Sequence, residues 1–131
     1  MKKVKLAVVG VGNCASSLIQ GIEYYEHHHN EHSDGIMQPQ INGWRPQDIK
    51  IVAAFDVDKR KVGLPVAKAI FAEPNCTTVF QKVIPVNGVG VKMGPVLDGM
   101  ADHMKEYPES QAFRVADIKP VNVVEELKNS G

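Results

Sequence analysis

Val4-Lys5-Leu6-Ala7-Val8-Val9-Gly10-Val11-Gly12-Asn13-Cys14-Ala15 is the stretch that decides the fold. Its first six residues are apolar and β-branched apart from one lysine and predict a strand buried on both faces, as in parallel sheets. Gly10-Val11-Gly12 ends that run. Beyond it Ala15, Leu18, Ile19 and Ile22 recur at helical spacing, with Gln20, Glu23 and Glu26 off that face. The pattern predicts an amphipathic helix over residues 13–26. Strand, glycine turn and helix form the opening half of a βαβ unit.

The turn has the form Gly10-x-Gly12-x-x-Ala15, and each position has a mechanical role. Gly10 lets the chain leave the strand at backbone angles that a Cβ would penalise. Gly12 removes the side chain that would hold a pyrophosphate away from the backbone, and Ala15 lets the helix pack closely on the sheet. The first-turn N–H groups of Asn13, Cys14 and Ala15 have no intrahelical acceptors. With the helix dipole they favour an anion by ~0.3–1 kcal/mol for a surface charge. A tight βα turn without a ligand has the same sequence form, so the motif alone leaves both readings open.

The next strand, residues 49–55, ends at Asp56, placed to accept hydrogen bonds from adenosine ribose hydroxyls. The acid of such motifs usually lies ~20 residues beyond the glycines. Asp56 lies 44 beyond Gly12. Residues 27–48 carry no period and are broken by Gly35, Pro39, Gly43 and Pro46; an inserted loop there accounts for the excess. A carboxylate at the strand end repels the 2′-phosphate of NADP, whereas Lys59 and Arg60 would attract it. The acid is nearer the expected ribose, so NAD is the expected cofactor.

Farther along, a helix is expected from Pro65 through Ala72, with β-type residues at 77–80 and a short strand at 89–92. Gly94-Pro95-Val96-Leu97-Asp98-Gly99 predicts the opening of a helix running through Met104, and a last amphipathic helix follows Pro120 to a stop at Ser130-Gly131. The expected architecture is α/β: a partial Rossmann-like, doubly wound parallel sheet with helices on both faces.

Composition narrows the function. Fifteen Lys+Arg balance fifteen Asp+Glu, which argues against a nucleic-acid surface. No apolar run approaches the ~18 residues of a membrane span. Two cysteines make no disulfide framework. A soluble, cytoplasmic domain is expected. His27, His28, His29 and His32 have spacings that could bind zinc on a helix, with Glu31 and Asp34 near. The segment has no helical support, so a solvated loop is the favoured reading and no metal site is expected. Cys14 lacks an argued histidine partner and reads as a small side chain packed in the cofactor loop, and Trp44 as cover for a core edge.

These residues resemble the myo-inositol-1-phosphate synthase (inositol-3-phosphate synthase) family in its bacterial and archaeal form. The likeness rests on Val8-Val9-Gly10-Val11-Gly12-Asn13-Cys14-Ala15-Ser16-Ser17-Leu18, Gln20-Gly21, Glu23-Tyr24-Tyr25 and Val52-Ala53-Ala54-Phe55-Asp56-Val57-Asp58. It continues in Lys61-Val62-Gly63, Ala69-Ile70-Phe71-Ala72, Asn75-Cys76-Thr77 and Gly94-Pro95-Val96-Leu97-Asp98-Gly99. The chain differs at Val96, where the family usually has Thr, and at Met93, often Arg. The resemblance implies an NAD-dependent isomerase converting glucose 6-phosphate to 1D-myo-inositol 3-phosphate, a step of inositol and phospholipid biosynthesis. It implies Gly10, Gly12, Asn13, Cys14 and Ala15 on the pyrophosphate side of NAD and Asp56 on the ribose.

Family members are about three times longer. Their catalytic lysines and acids, phosphate-binding residues and tetramer-forming domain lie outside the matching part. The chain is thus expected to hold the adenosine-binding half of a Rossmann domain and no catalytic residue. Alone it is expected to be inactive, engaging glucose 6-phosphate only with the remaining part. In a sheet ordered 3-2-1-4-5-6 the first strand would lack one neighbour and leave an open edge for self-association. The alternative is a stand-alone nucleotide-binding or interaction module without catalysis.

Overall fold

The computed structural model describes residues 3–28, 35–85 and 88–131. Strand β1 (Val4–Val9) pairs in parallel with β2 (Ile49–Asp56), from Val4 opposite Ile49 to Val9 opposite Phe55. The register slips between Leu6 and Ala7, whose partners are Ile51 and Ala53. Side chains alternate along a strand, so the extra residue, Val52, turns both Ile51 and Ala54 toward the same core as Val8. Strand β3 (Val91–Met93) adds to the other side of β2, also in parallel, giving the order β1-β2-β3. These relations confirm the expected parallel α/β architecture.

The first strand departs from expectation in its burial. β1 is an edge of the three-stranded sheet, as the expected open edge requires, but it is not buried on both faces: Val9 is 79% exposed. Its apolar composition is that of a central strand, but it is covered on one side only. Helix α1 (Asn13–His27) packs Ala15 and Ile19 against Val8, Val11 and Ile51 and thereby buries one face of the sheet. Helix α2 (Val66–Ala69) is a single turn, shorter than expected. The Asn75 amide donates to the Ile70 carbonyl, so a side chain takes an acceptor that a continuing helix would have used. Helix α3 (Val123–Asn129) begins later than Pro120, at the Asn122 side chain, which accepts from Glu125 N at 3.2 Å. Val123 borders the same cleft as Val9 and Phe55, while Lys5 Nζ reaches the Gly131 carbonyl at 2.8 Å. These contacts place α3 on the face opposite α1.

Three other expectations are corrected. Residues 35–48 contain regular structure: Ile41 and Trp44 exchange two backbone hydrogen bonds of 2.9 Å about Asn42-Gly43, both at positive φ. Asn-Gly is the favoured pair for such a hairpin turn because both central residues must adopt left-handed angles. A 3-10 turn at Pro46–Asp48 follows, with the buried Asp48 carboxylate accepting from Arg45 N at 3.0 Å. Residues 77–80 form no strand. Finally, the helix expected from Gly94 to Met104 is replaced by a tight turn closed by Gly99 N to Val96 O at 2.8 Å. Leu97 sits in that turn at φ +48°, left-handed backbone that cannot continue a helix. Only a 3-10 turn at Asp102–Glu106 remains of it.

Candidate functional site

The glycine loop is held by side chains from the segment that follows β2. Gly10 has φ +88°, the left-handed geometry expected of it, and its amide continues the sheet by donating to Phe55 O at 2.9 Å. Asp56 Oδ2 accepts the Val11 amide at 2.6 Å, and Oδ1 accepts from Val57 N at 2.7 Å and Asp58 N at 2.8 Å. Three N–H donors therefore fix this carboxylate at the mouth of the loop. Each oxygen keeps acceptor capacity for a further donor such as a ribose hydroxyl. Sequence reasoning placed Asp56 here but did not foresee that it is also the bolt that closes the loop on β2.

Gly12 caps α1, and no side chain caps the helix in its place. A Cβ built on Gly12 meets nothing within 4 Å, so the space beyond it is open. Ala15 is buried against the core as expected, whereas Cys14 is exposed, contrary to the packed role expected of it. Asn13 faces outward but has a structural partner: its Oδ1 accepts from Cys76 N and its carbonyl from Thr77 Oγ1, both at 2.9 Å. A cleft of about 400 Å³ opens beside Gly10 and Asp56, walled by Val9, Phe55, Val96, Leu97 and Val123. Its size and apolar lining suit one nucleoside half of a dinucleotide.

Two residues that sequence reasoning passed over complete the surroundings. Gln20, on α1, is fully buried; its Nε2 donates to Ser16 Oγ at 3.1 Å and Thr78 O at 3.4 Å. Its Oε1 accepts from Phe80 N at 3.0 Å and Gln81 N at 3.1 Å. The side chain thus does for residues 78–81 what a neighbouring strand would do, which explains why β-type residues there form no strand. A polar residue beside the apolar stripe of α1 was the only signal. Lys61, 4% exposed, sends its Nζ to the Val11 carbonyl at 2.6 Å.

The cations weighed for a 2′-phosphate are committed elsewhere. Lys59 Nζ donates to Glu109 Oε1 at 2.7 Å. Arg60 Nε binds Asp58 Oδ1 at 3.2 Å and its guanidinium also donates to the carbonyls of Glu109 and Ala112. The hydrogen bond and charge of Lys59 hold the Glu109 carboxyl below the usual carboxylate range, with smaller help from Arg114 and Arg60. Asp58 Oδ2 is buried without a hydrogen-bond partner among the described residues.

Histidines 29 and 32, with Glu31 and Asp34, lie outside the described residues. His27 bonds Glu23 at 2.9 Å, and His28 stacks on Tyr24 with ring centroids 4.0 Å apart. Among the described residues no three His, Cys, Asp or Glu side chains gather as metal ligands. A larger cavity, about 830 Å³, separates α1 from the 41–44 hairpin and is lined by Leu18, Ile22, Tyr25 and Trp44. Trp44 covers the start of the sheet there with Val4 and Ile49. That cavity is apolar; of the expected site residues only Cys14 lines it, and Gly10, Gly12 and Asp56 do not. Among the described residues no helix is long and apolar enough to cross a membrane.

A parallel sheet, a glycine turn leading into a helix that no side chain caps, and an acid at the end of the second strand define an α/β domain. No family model matches the chain. The inositol-3-phosphate synthase of Mycobacterium tuberculosis is 43% identical over 129 residues, 98% of this chain and 34% of its own length. That of Corynebacterium glutamicum is 44% identical over 126 residues, 95% of this chain and 33% of its own. The crystal structure of Ari2 superposes with a TM-score of 0.71 at 35% identity, over 98% of this chain and 36% of that one. The chain is thus similar over nearly its whole length to inositol-3-phosphate synthases, and it spans about a third of the length of the curated relatives it matches.

Proposed function

We propose that this chain is the NAD-binding portion of an inositol-3-phosphate synthase, an isomerase acting on glucose 6-phosphate in inositol and phospholipid biosynthesis in the cytoplasm. The observation that carries the reading is the bond between Asp56 and Val11. It sets a carboxylate from the second strand against the glycine loop of the first, as recognition of a ribose joined to a diphosphate requires. The open space beyond Gly12 fits the diphosphate, which would rest on the first-turn amides of Asn13, Cys14 and Ala15. Asp56 would receive the ribose hydroxyls, and the apolar walls at Val9, Phe55 and Leu97 would exclude water from the base. NAD, when bound, supplies hydride acceptance and return; the residues of this chain bind and orient it.

The engagement of Lys59 by Glu109 and of Arg60 by Asp58 leaves the carboxylate dominant at the ribose and favours NAD over NADP. The remaining two thirds of the family-length protein would supply the groups that bind and transform the sugar phosphate, so the isolated chain is expected to be inactive. Calorimetric titration with NAD, ADP-ribose and NADP tests the reading. Binding of the first two, with NADP weaker, is the expected result. Absence of binding by both NAD and ADP-ribose at millimolar concentration sinks it, and glucose 6-phosphate turnover by the purified chain sinks the expected inactivity.

A further inference from the structure

Val11 lies between the two glycines of the loop, is fully buried, and has both of its backbone polar groups held by ionisable side chains. Asp56 takes its N–H and Lys61 its carbonyl, each at 2.6 Å. Lys61 is set in place by the turn after β2, where Lys61 N and Val62 N both bond the Asp58 carbonyl, at 2.9 and 3.0 Å. A backbone carbonyl needs only a neutral donor, and burying an ammonium for that purpose alone is costly. The charge asks for a counter-ion. Among the described residues no carboxylate pairs with Lys61: Asp58 binds Arg60 through Oδ1 and keeps a buried Oδ2 without a hydrogen-bond partner, and Asp56 faces three backbone amides.

We propose that Lys61 is a positioning residue for diphosphate recognition, its buried ammonium fixing the Val11 peptide from behind and supplying the positive charge that the ligand's diphosphate balances. The proposal rests on the reading of this cleft as a dinucleotide site. The dipole of α1 and the ammonium on the Val11 carbonyl are both positive charge at the loop, set against the Asp56 carboxylate on the Val11 amide. Asp56 holds the same residue by its N–H, so loss of the ammonium leaves the ribose acid in place while removing the charge.

The test is titration of wild type and Lys61→Met with ADP and with adenosine. The expected result is a loss of about tenfold in ADP affinity (~1.4 kcal/mol) with adenosine affinity within about twofold. Equal losses for both ligands, or no loss for either, overturn the proposal, because a loosened loop would weaken both alike. Wild type that binds neither ligand removes the dinucleotide reading itself, and this proposal with it. Should Lys61→Met fail to fold, the Lys61 ammonium resonance of the wild type decides by 15N NMR. A shift on adding ADP and none on adding adenosine supports the proposal, and an ADP-insensitive signal overturns it.

Discussion

Asp56 and Val11 are 45 residues apart in sequence and joined by a hydrogen bond of 2.6 Å. The bond closes the glycine loop on β2, and under the proposed function the same carboxylate would also meet the ribose. Asp56→Asn offers one acceptor oxygen and turns an amide group toward backbone N–H donors. It is expected to destabilise the chain by about 1–3 kcal/mol, the cost of leaving such donors unmet, and to weaken NAD binding. Urea denaturation paired with calorimetry checks both arms.

Gly12, at the start of α1, and Gly99, in the wall of the cleft, are expected to behave oppositely when given a methyl group. A Cβ on Gly12 meets nothing within 4 Å, so Gly12→Ala should cost at most about 1 kcal/mol through the poorer helix cap. NAD binding should nevertheless be lost, because the methyl occupies the space a diphosphate needs. A Cβ on Gly99 would stand 2.8 Å from the Val96 carbonyl, so Gly99→Ala must shift backbone. It should alter the turn and lower the melting temperature. Thermal melts alongside NAD titration separate the pair.

Gln20→Leu keeps side-chain bulk and removes the three hydrogen bonds that tie residues 78–81 to α1, together with one to Ser16 within the helix. A loss of about 1–3 kcal/mol is expected from the stranded partners. Hydrogen exchange should rise at Phe80 and Gln81 while the amides of β2 stay protected, the pattern that distinguishes local release from general loosening.

Glu109 should titrate below an ordinary glutamate because Lys59 stabilises its charged form. Its folded-state pKa is depressed, so any stability it contributes is full above the ordinary carboxylate range and is lost as pH falls through the folded value. The pair is solvent-exposed, so the effect on stability is small. Carbon-13 NMR titration should show Glu109 moving back toward the ordinary range in Lys59→Met.

The outer edge of β1 is the expected site of self-association or of a strand supplied by the rest of the family-length protein. It carries Val9, 79% exposed, on a strand with one neighbour. Val9→Lys should reduce concentration-dependent association measured by light scattering and leave the fold unchanged by circular dichroism. Association undiminished by the lysine would place the contact elsewhere.

Much of the scaffold was legible in order along the chain. The periods of α1 and the apolar runs of β1 and β2 are local signals, since side-chain spacing alone distinguishes the two kinds of element. The glycine loop and Asp56 were readable for the same reason: left-handed backbone and a strand-end acid are properties of single positions. The 77–80 and 94–104 segments misled because their composition satisfies a propensity while their partners lie far off in sequence. Residues 78–81 hang on Gln20, and the second segment turns at Leu97 rather than winding into a helix. Asn42-Gly43 could have been read as a hairpin, since its signal is local.

Sequence by itself determined the kinds of element, their order, the glycine turn and the family likeness, because each is written in residue types at fixed short spacings. Only the tertiary structure decided that Lys59 pairs with Glu109 and Arg60 with Asp58, and that Asp56 and Lys61 grip the same buried residue. Those facts depend on which distant groups meet in a desolvated space, where one partner or its absence changes the energy of a charge by more than any local preference.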